Sequence, residues 1–361
     1  MILTEDKKYS ISLVIEDENE TGLGSETVEL EFTNKELLHA ILTCGMPIQR
    51  LSQAYMNKRK MEILYKIFLV ETALDAEGDR LKKSPRTMYL DSSEKSVISY
   101  YLGMFFTKLL SEKLYGIDYL THLNTIEKIQ GEGFIDYFSG KWRPDMIGYK
   151  TVDDSWSVWE AKGGSNRRAP ALKIGCEQAG DIKSVNSKHP DPAAVCMTYY
   201  DHGYLTAIIK KTKSREGTEL EIAERGFWES YYSGIRQMFM EYGNTTRWTG
   251  GNVEVTVDIP YYHEKEKETL KRFIQVGIPE AIFQKIMKED YMGIPQMEYI
   301  APEVCEDGRY TGGDMIYIKY KNPCTRMDFF VINIIRILVP EKQGMNVLLF
   351  LILPVCFCHI F

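Results

Sequence analysis

Two acidic residues and a lysine in the middle of the chain have a spacing that could bind a metal ion. Asp145 follows Pro144, and Glu160 and Lys162 stand on either side of Ala161 in the pattern Glu-Ala-Lys. Glu160 and Lys162 are two positions apart, so on an extended strand both side chains leave the same face. Two carboxylates and an ammonium group at one place are unfavourable unless something binds there. A hard divalent cation held by oxygen ligands is the simplest partner.

The residues that carry these charges are predicted to form a β-hairpin. The apolar runs Met146–Tyr149 and Trp156–Trp159 flank a polar, turn-rich segment, Lys150–Ser155. This pattern is typical of two antiparallel strands joined by a turn. Asp145, at the start of the first strand, can then lie opposite Glu160 on the second.

A site of this kind suits the hydrolysis of a phosphodiester. A divalent metal neutralises a non-bridging oxygen, lowers the pKa of a bound water and stabilises the leaving oxygen. Asp145 and Glu160 would ligate the metal, with the backbone carbonyl of Ala161 as a third ligand. Lys162 would orient the attacking water, or help to deprotonate it, and screen the developing charge. Mg²⁺ fits because it takes few carboxylates and keeps several waters, and Mn²⁺ is the alternative.

The elements around the hairpin are predicted to alternate between helices and strands. Asp91-Ser92-Ser93-Glu94 is a helix start signal, and the buried helix that follows ends at Gly116. A strand is predicted at 117–123, before the hairpin. After the hairpin, we expect a helix over 170–186 and two strands, 193–199 and 204–209, the first of them in a buried, parallel position.

The residues quoted above resemble a known motif. Pro144-Asp145 and Glu160-Ala161-Lys162 are similar to the signature of the PD-(D/E)XK nuclease superfamily, and the resemblance covers about residues 92–212. The words YYLGMFFTKLLSEKLYG, RPDMIGY and WEAKGG also resemble a bacterial group of proteins that has this core. The resemblance implies an α/β fold with a restriction-endonuclease-like core, made of a helix, a three-stranded meander, a helix and a strand. It also implies Mg²⁺-dependent cleavage of DNA.

Two further positions match the superfamily loosely. Glu112 stands near the acidic position of the first core helix, where it is either a solvated glutamate or an extra catalytic acid. Gln178 stands where some branches carry a helix glutamine that belongs to the site. The tyrosine that follows this glutamine in the helicase-linked exonuclease branch is absent, because the residue here is Ile182.

Basic residues follow the hairpin and point to a polyanionic partner. The stretch from Lys141 to Arg215 holds 13 Lys and Arg against 8 Asp and Glu, although the whole chain has a net charge of -7. These side chains either follow a phosphate backbone or are solvated on a helix face. The candidates for nucleic-acid binding are Arg167, Arg168, Lys173 and Lys183. We expect DNA as the partner, with RNA as the open alternative.

Other patterns restrict the function. No G-x-x-x-x-G-K-[ST] loop is present, so no nucleotide cofactor or ATPase activity is expected. The histidines are scattered without metal-ligand spacing, and the segment GRYTGGD is predicted to be a turn. Seven cysteines without a CxxC pair, and an N-terminus without an apolar signal-peptide run, predict a cytoplasmic protein.

The chain is predicted to contain four parts. Residues 1–90 and 216–322 are α+β accessory regions around a nuclease-like core at 91–215, and residues 323–361 are an apolar tail. Within the second accessory region, 263–276 is predicted to be helical. The tail is interpreted as the product of a shifted reading frame, as a membrane anchor or as a buried C-terminal element.

The sequence therefore predicts a metal-dependent nuclease of the bacterial cytoplasm. Two other classes stay open. One is a catalytically inactive nuclease-like module that binds nucleic acid or protein. The other is a protein tethered to a membrane by its apolar tail.

Overall fold

The computed structural model describes most of the chain up to residue 321. The described residues are 2–3, 6–17, 26–44, 58–130, 143–213, 217–263, 268–294, 302–305 and 307–321. Met1–Tyr320 forms one compact unit and Lys321–Phe361 a second. The predicted boundaries near residues 90 and 215 fall inside the first unit. The predicted apolar tail lies outside the described residues.

Helices and strands alternate along the first unit. The helices are α1 Asn34–Thr43, α2 Lys58–Ala73, α3 Ser92–Tyr115, α4 Leu123–Gln130, α5 Ala169–Gly180, α6 Glu224–Glu241 and α7 Glu280–Met287. The first ten strands are β1 Lys8–Asp17, β2 Glu26–Thr33, β3 Leu74–Glu77, β4 Arg80–Lys83, β5 Tyr119–His122, β6 Met146–Lys150, β7 Ser155–Gly163, β8 Ile182–Val185, β9 Ala193–Asp201 and β10 Tyr204–Thr212. The others are β11 Thr218–Leu220, β12 Arg247–Thr249, β13 Asn252–His263, β14 Glu268–Pro279, β15 Glu303–Val304, β16 Tyr310–Thr311 and β17 Tyr317–Lys321.

A mixed sheet of nine strands lies at the centre of the described part. Its main order is β2-β1-β10-β9-β7-β6-β5, with β4 against the ends of β1 and β10 and β3 paired to β4. The strands β5, β6 and β7 form an antiparallel meander, and β7 pairs with β9 in parallel. The protein is therefore of the α/β class, as predicted. The N-terminal hairpin of β1 and β2 joins the same sheet because β1 pairs with β10 in parallel.

Helix α3 forms where the start and stop signals predict it. The Asp91 side chain accepts hydrogen bonds from the backbone of Ser93 and Glu94, and the Glu94 carboxylate accepts one from the backbone N–H of Asp91. Gly116 ends the helix in the left-handed conformation that glycine adopts most readily. Ile98 and every residue from Leu102 to Glu112 are buried, so this half of the helix forms one wall of the core.

Helices α3 and α5 cover opposite faces of the sheet at β7 and β9. In the β7–β9 pair, Glu160 lies beside Val195, and both approach Gly175 of α5. The next residue of β9, Cys196, lies on the other face because side chains alternate along a strand. Its thiol bonds to Thr107 of α3.

Two predicted helices differ from the structure. The prediction for 263–276 is wrong, because Glu268–Pro279 is strand β14, paired with β13 along its whole length. Its alternating apolar residues Ile274, Val276 and Ile278 are all buried. The predicted helix 170–186 ends earlier, at Gly180, and β8 follows. Among the described residues, no helix is both long and apolar enough to cross a membrane.

Candidate active site

Asp145 and Glu160 meet at the end of the β6–β7 hairpin that is opposite to its turn. Backbone pairing of the two strands ends at Met146 and Trp159. Asp145 and Glu160 lie directly beyond this last pair and therefore face each other outside the paired region. The backbone N–H of Asp145 donates to Glu160 Oε2 at 2.9 Å. The structure therefore brings the two predicted acids together.

Ala161 connects the two acids through its backbone. Its N–H donates to Asp145 Oδ2 at 3.0 Å. Because the N–H and C=O of one strand residue point to the same side, the Ala161 carbonyl also faces the side of Asp145. The predicted third ligand thus belongs to the same cluster of oxygens.

Lys162 leaves β7 on the same face as Glu160 and is held from two sides. Its ammonium group donates to Glu160 Oε1 and, at 2.8 Å, to Gln178 Oε1 on α5. The Gln178 amide nitrogen donates in turn to the Arg143 carbonyl at 3.0 Å. The predicted residues Lys162 and Gln178 therefore lie at this site. Gln178 fixes the ammonium group relative to the segment that leads into Asp145.

Burial and mutual repulsion perturb the two acids. Burial, reinforced by the charge of Asp145, raises the pKa of Glu160 to about 8, although Lys162 opposes this shift. Burial also raises the pKa of Asp145, against the lowering effect of the Ala161 N–H and Lys162. Two acids that resist ionisation side by side are typical of functional sites. A divalent cation would remove the repulsion that keeps a proton there.

A close approach of two backbones positions this end of β7. A Cβ placed at Gly103 of α3 would lie 2.7 Å from the Lys162 carbonyl oxygen. A Cβ placed at Gly163 would lie 1.8 Å from the Ser99 carbonyl oxygen. No side chain fits at either position without a shift of the backbone. Both glycines thus allow α3 to lie directly against the strand that carries Glu160 and Lys162.

The chemistry of the donor atoms fits Mg²⁺ or Mn²⁺. Two carboxyl groups and one backbone carbonyl are all oxygen ligands, which hard divalent cations prefer. Neither sulfur nor imidazole belongs to the cluster, so the set does not favour softer metals. Asp145, Glu160 and Ala161 are the residues that could hold the ion.

The prediction that Glu112 belongs to this site needs correction. Its side chain is buried in another cluster, with Glu112 Oε2 3.3 Å from His39 Nδ1 and 3.4 Å from Lys108 Nζ. Glu112 Oε1 accepts a hydrogen bond from the Gly313 N–H. Although burial alone would raise its pKa, Lys108 and His39 lower the pKa of Glu112 to about 2. It is therefore neither a solvated glutamate nor an acid of the hairpin site.

The cluster around Glu112 was missed because its members are far apart in sequence. His39 Nε2 lies 2.9 Å from Asp314 Oδ1, and the Tyr231 hydroxyl donates to Asp314. Burial alone would lower the pKa of His39, but Asp314 and Glu112 together raise it to about 9. The only signal was the segment GRYTGGD, which was predicted to be a turn and does carry Asp314 in one.

One atom each from His39, Glu112 and Asp314 lies within 4.8 Å of the others, close enough for a metal ion. However, the imidazole ring stands between the carboxylates and turns one nitrogen to each. The ring therefore occupies the space between the two carboxylates, and these contacts tie α1, α3 and the turn before β17 together.

The predicted basic residues separate into two groups. Arg167 and Lys173 line one cavity of about 250 Å³ beside the start of α5, together with Lys210. Arg167 also pairs with Glu16 at 2.8 Å, and Arg168 is exposed at the N-terminus of α5. Lys183 lies beyond α5, on β8, and pairs with Glu219.

Comparison of the chain with models of protein families, with curated proteins and with solved structures finds no match in any of the three.

Proposed function

We propose that this protein hydrolyses phosphodiester bonds of DNA with a divalent metal ion at Asp145, Glu160 and Ala161. One observation carries the proposal: two mutually destabilised acids and an oriented ammonium group meet at one strand end. A structural ion pair joins one acid to one base, so it does not explain a second buried acid with a pKa of about 8. A metal site does explain it, because a bound cation takes the place of the proton.

The order of elements supports a PD-(D/E)XK-type core. Helix α3, strands β5, β6 and β7, helix α5 and strand β9 come in the order of that core, with α4 inserted between β5 and β6 and β8 inserted between α5 and β9. The two helices lie on opposite faces, and the acids stand at the end of the central strands. This arrangement is what the resemblance of the sequence implies.

The residues of the chain divide the work as follows. A bound Mg²⁺ or Mn²⁺ supplies charge neutralisation at the phosphate and lowers the pKa of a water. Lys162, fixed by Glu160 and Gln178, orients that water for attack on phosphorus and screens the charge that develops. The attacking water gives a proton to solvent, its oxygen forms the new bond to phosphorus, the ester bond to the leaving oxygen breaks, and the leaving oxygen takes a proton from solvent.

The proposal is tested by incubating purified full-length protein with supercoiled plasmid in Mg²⁺, Mn²⁺ or EDTA. Wild type is expected to nick or degrade DNA only with metal. Asp145→Asn and Lys162→Met should each lower the rate by about 10²-fold or more. Asp258→Asn and Lys271→Met remove a matched exposed pair, 3.0 Å apart on β13 and β14, and should retain activity.

Cleavage that persists in both site variants would refute the assignment of the site. Binding of DNA without cleavage in any metal would favour an inactive nuclease-like module. An RNA substrate of the same length separates the two nucleic acids. Circular dichroism and thermal melting of every variant show that the fold is intact.

A further inference from the structure

A ladder of tyrosine rings runs from the candidate active site across α3 and α2. Tyr100 and Tyr101 of α3 have ring centroids 5.3 Å apart, and Tyr101 lies 5.8 Å from Tyr65 of α2. Each pair meets edge to face. Tyr100 is 50% exposed and Tyr65 48% exposed. The two outer rings therefore present aromatic surface to solvent.

The ladder begins on the part of α3 that packs against the strand carrying Glu160 and Lys162. Tyr100 belongs to the turn of α3, Ser99–Gly103, whose backbone touches β7 at Lys162 and Gly163. Besides burial, which is the main cause, the charges of Asp145 and Glu160 contribute to raising the pKa of Tyr100 to about 12. The hydroxyl therefore lies within the electrostatic reach of both carboxyl groups.

Core packing does not explain the exposed rings. Tyr101 connects the ladder to the interior through Phe105, at 5.7 Å, and Phe105 is fully buried. Tyr100 and Tyr65, in contrast, are half exposed, although most aromatic residues in the described part of the chain are buried. The exposed neighbours Met61 and Val97 extend the apolar surface on the same two helices.

We propose that Tyr100 and Tyr65 stack the unpaired bases of a nucleic-acid strand and so direct single-stranded or frayed ends into the site. This inference rests on the proposed function. Every base has a π-face that can stack on an aromatic side chain. In a duplex those faces are hidden in the base stack, so a stacking ladder selects unpaired strands. The cations Arg143 and Lys162, 33% and 24% exposed, lie at the carboxylate end, where they pair with Glu127 and Glu160 and leave part of their charged surface open to phosphates.

The surface is tested by equilibrium binding of the full chain in EDTA, so that no cleavage occurs. The probes are a fluorescein-labelled oligothymidylate and a blunt hairpin duplex of equal charge. Tyr100→Leu and Tyr65→Leu should each weaken binding of the oligothymidylate about tenfold, as the loss of one stacked base predicts, and leave the duplex unchanged. Tyr100→Phe keeps the ring and should bind like wild type.

Trp248→Leu is the matched control, because Trp248 is 55% exposed on β12, which belongs to another sheet. Wild-type affinity for the oligothymidylate in both leucine variants, or an equal loss on the duplex, would overturn the inference. A parallel cleavage assay in Mg²⁺ separates the two proposals. Cleavage that does not depend on the tyrosines would refute the proposed role of the ladder and leave the proposed nuclease function intact. Tyrosine-dependent binding without any cleavage would refute the proposed nuclease function and support the tyrosines as a binding surface.

Discussion

The backbone N–H of Asp145 donates to Glu160 Oε2 at 2.9 Å, so the two acids hold each other at the end of the hairpin. The proton on Glu160 and a bound cation compete for the same place. This competition gives the site a measurable dependence on pH.

Metal affinity should rise with pH. Because the pKa of Glu160 is about 8, the acid is protonated below this value and must release its proton when a cation binds. Between pH 6 and 8, the affinity for Mn²⁺ should therefore increase about tenfold per pH unit and then level off. Isothermal titration calorimetry in buffers of different ionisation enthalpy measures both the affinity and the proton released. In Glu160→Gln the residual affinity should be independent of pH over this range, and an unchanged slope in that variant would contradict the assignment.

Removing the charge of Glu160 should stabilise the metal-free protein at alkaline pH. The folded pKa of this acid is raised to about 8 from the ordinary value of 4.5, so stability is unaffected below pH 4.5, falls as pH rises from there to 8, and stays at the lower level above 8. At pH 9 in EDTA, Glu160→Gln should melt about 2–6 °C higher than wild type, while at pH 5 the difference should be small. A lower melting temperature at pH 9 would show that Glu160 stabilises the fold instead.

His39 should stabilise the protein at neutral and acidic pH. Its folded pKa, about 9, lies above the ordinary value of 6.5. The stability that it contributes is thus fully present below pH 6.5 and is lost as pH rises through 9. His39→Gln should lower the free energy of unfolding by about 3–5 kcal/mol at pH 6, because it leaves buried Glu112 and Asp314 without their partner. Urea denaturation at pH 6 and at pH 9.5 measures this, and an equal loss at both values would refute the charge on His39.

The close approach of α3 and β7 should be sensitive to a single methyl group. Gly163→Ala would place a Cβ against the Ser99 carbonyl, and Gly103→Ala would place one against the Lys162 carbonyl. Each should destabilise the fold by about 1–3 kcal/mol and lower any nuclease activity further than this loss explains, because Lys162 shifts. The control is Gly243→Ala, where a Cβ meets open space. Melting temperature and cleavage rate are measured together, and wild-type values in Gly163→Ala would refute the contact.

Gln178 should act on the position of Lys162 and contribute little to stability. It accepts from the Lys162 ammonium group and donates to the Arg143 carbonyl. Gln178→Ala should reduce kcat at saturating metal about tenfold while the melting temperature stays near that of wild type, because the lost bonds are only part-buried. Gln178→Glu keeps an acceptor and should restore part of the rate. A fall in substrate affinity with an unchanged kcat would indicate that Gln178 contributes to substrate binding and does not position Lys162.

Local signals in the sequence were sufficient for the elements that carry the site. The capping box at Asp91 and the alternation on both sides of Lys150–Ser155 act over a few residues, so α3 and the hairpin could be predicted. Once the hairpin forms, the period of a strand puts Glu160 and Lys162 on one face. The formation of the hairpin and the period of the strand together bring Asp145, Glu160 and Lys162 close to one another.

Contacts between distant segments were beyond such signals. His39 and Asp314 are 275 positions apart, and nothing local links Glu112 to either. Its place on α3 suggested the hairpin site, but its side chain points to α1. The strand β14 was missed because its charged N-terminal half resembles a helix surface. Pairing with β13, a tertiary contact, decides the strand.

The most direct test is anomalous scattering from crystals of the full chain soaked in Mn²⁺. The proposed site predicts a peak about 2.0–2.2 Å from carboxylate oxygens of Asp145 and Glu160 and from the Ala161 carbonyl oxygen. The peak should be absent from Asp145→Asn crystals treated in the same way. Density for Mn²⁺ between His39, Glu112 and Asp314, with none at the hairpin, would contradict the account.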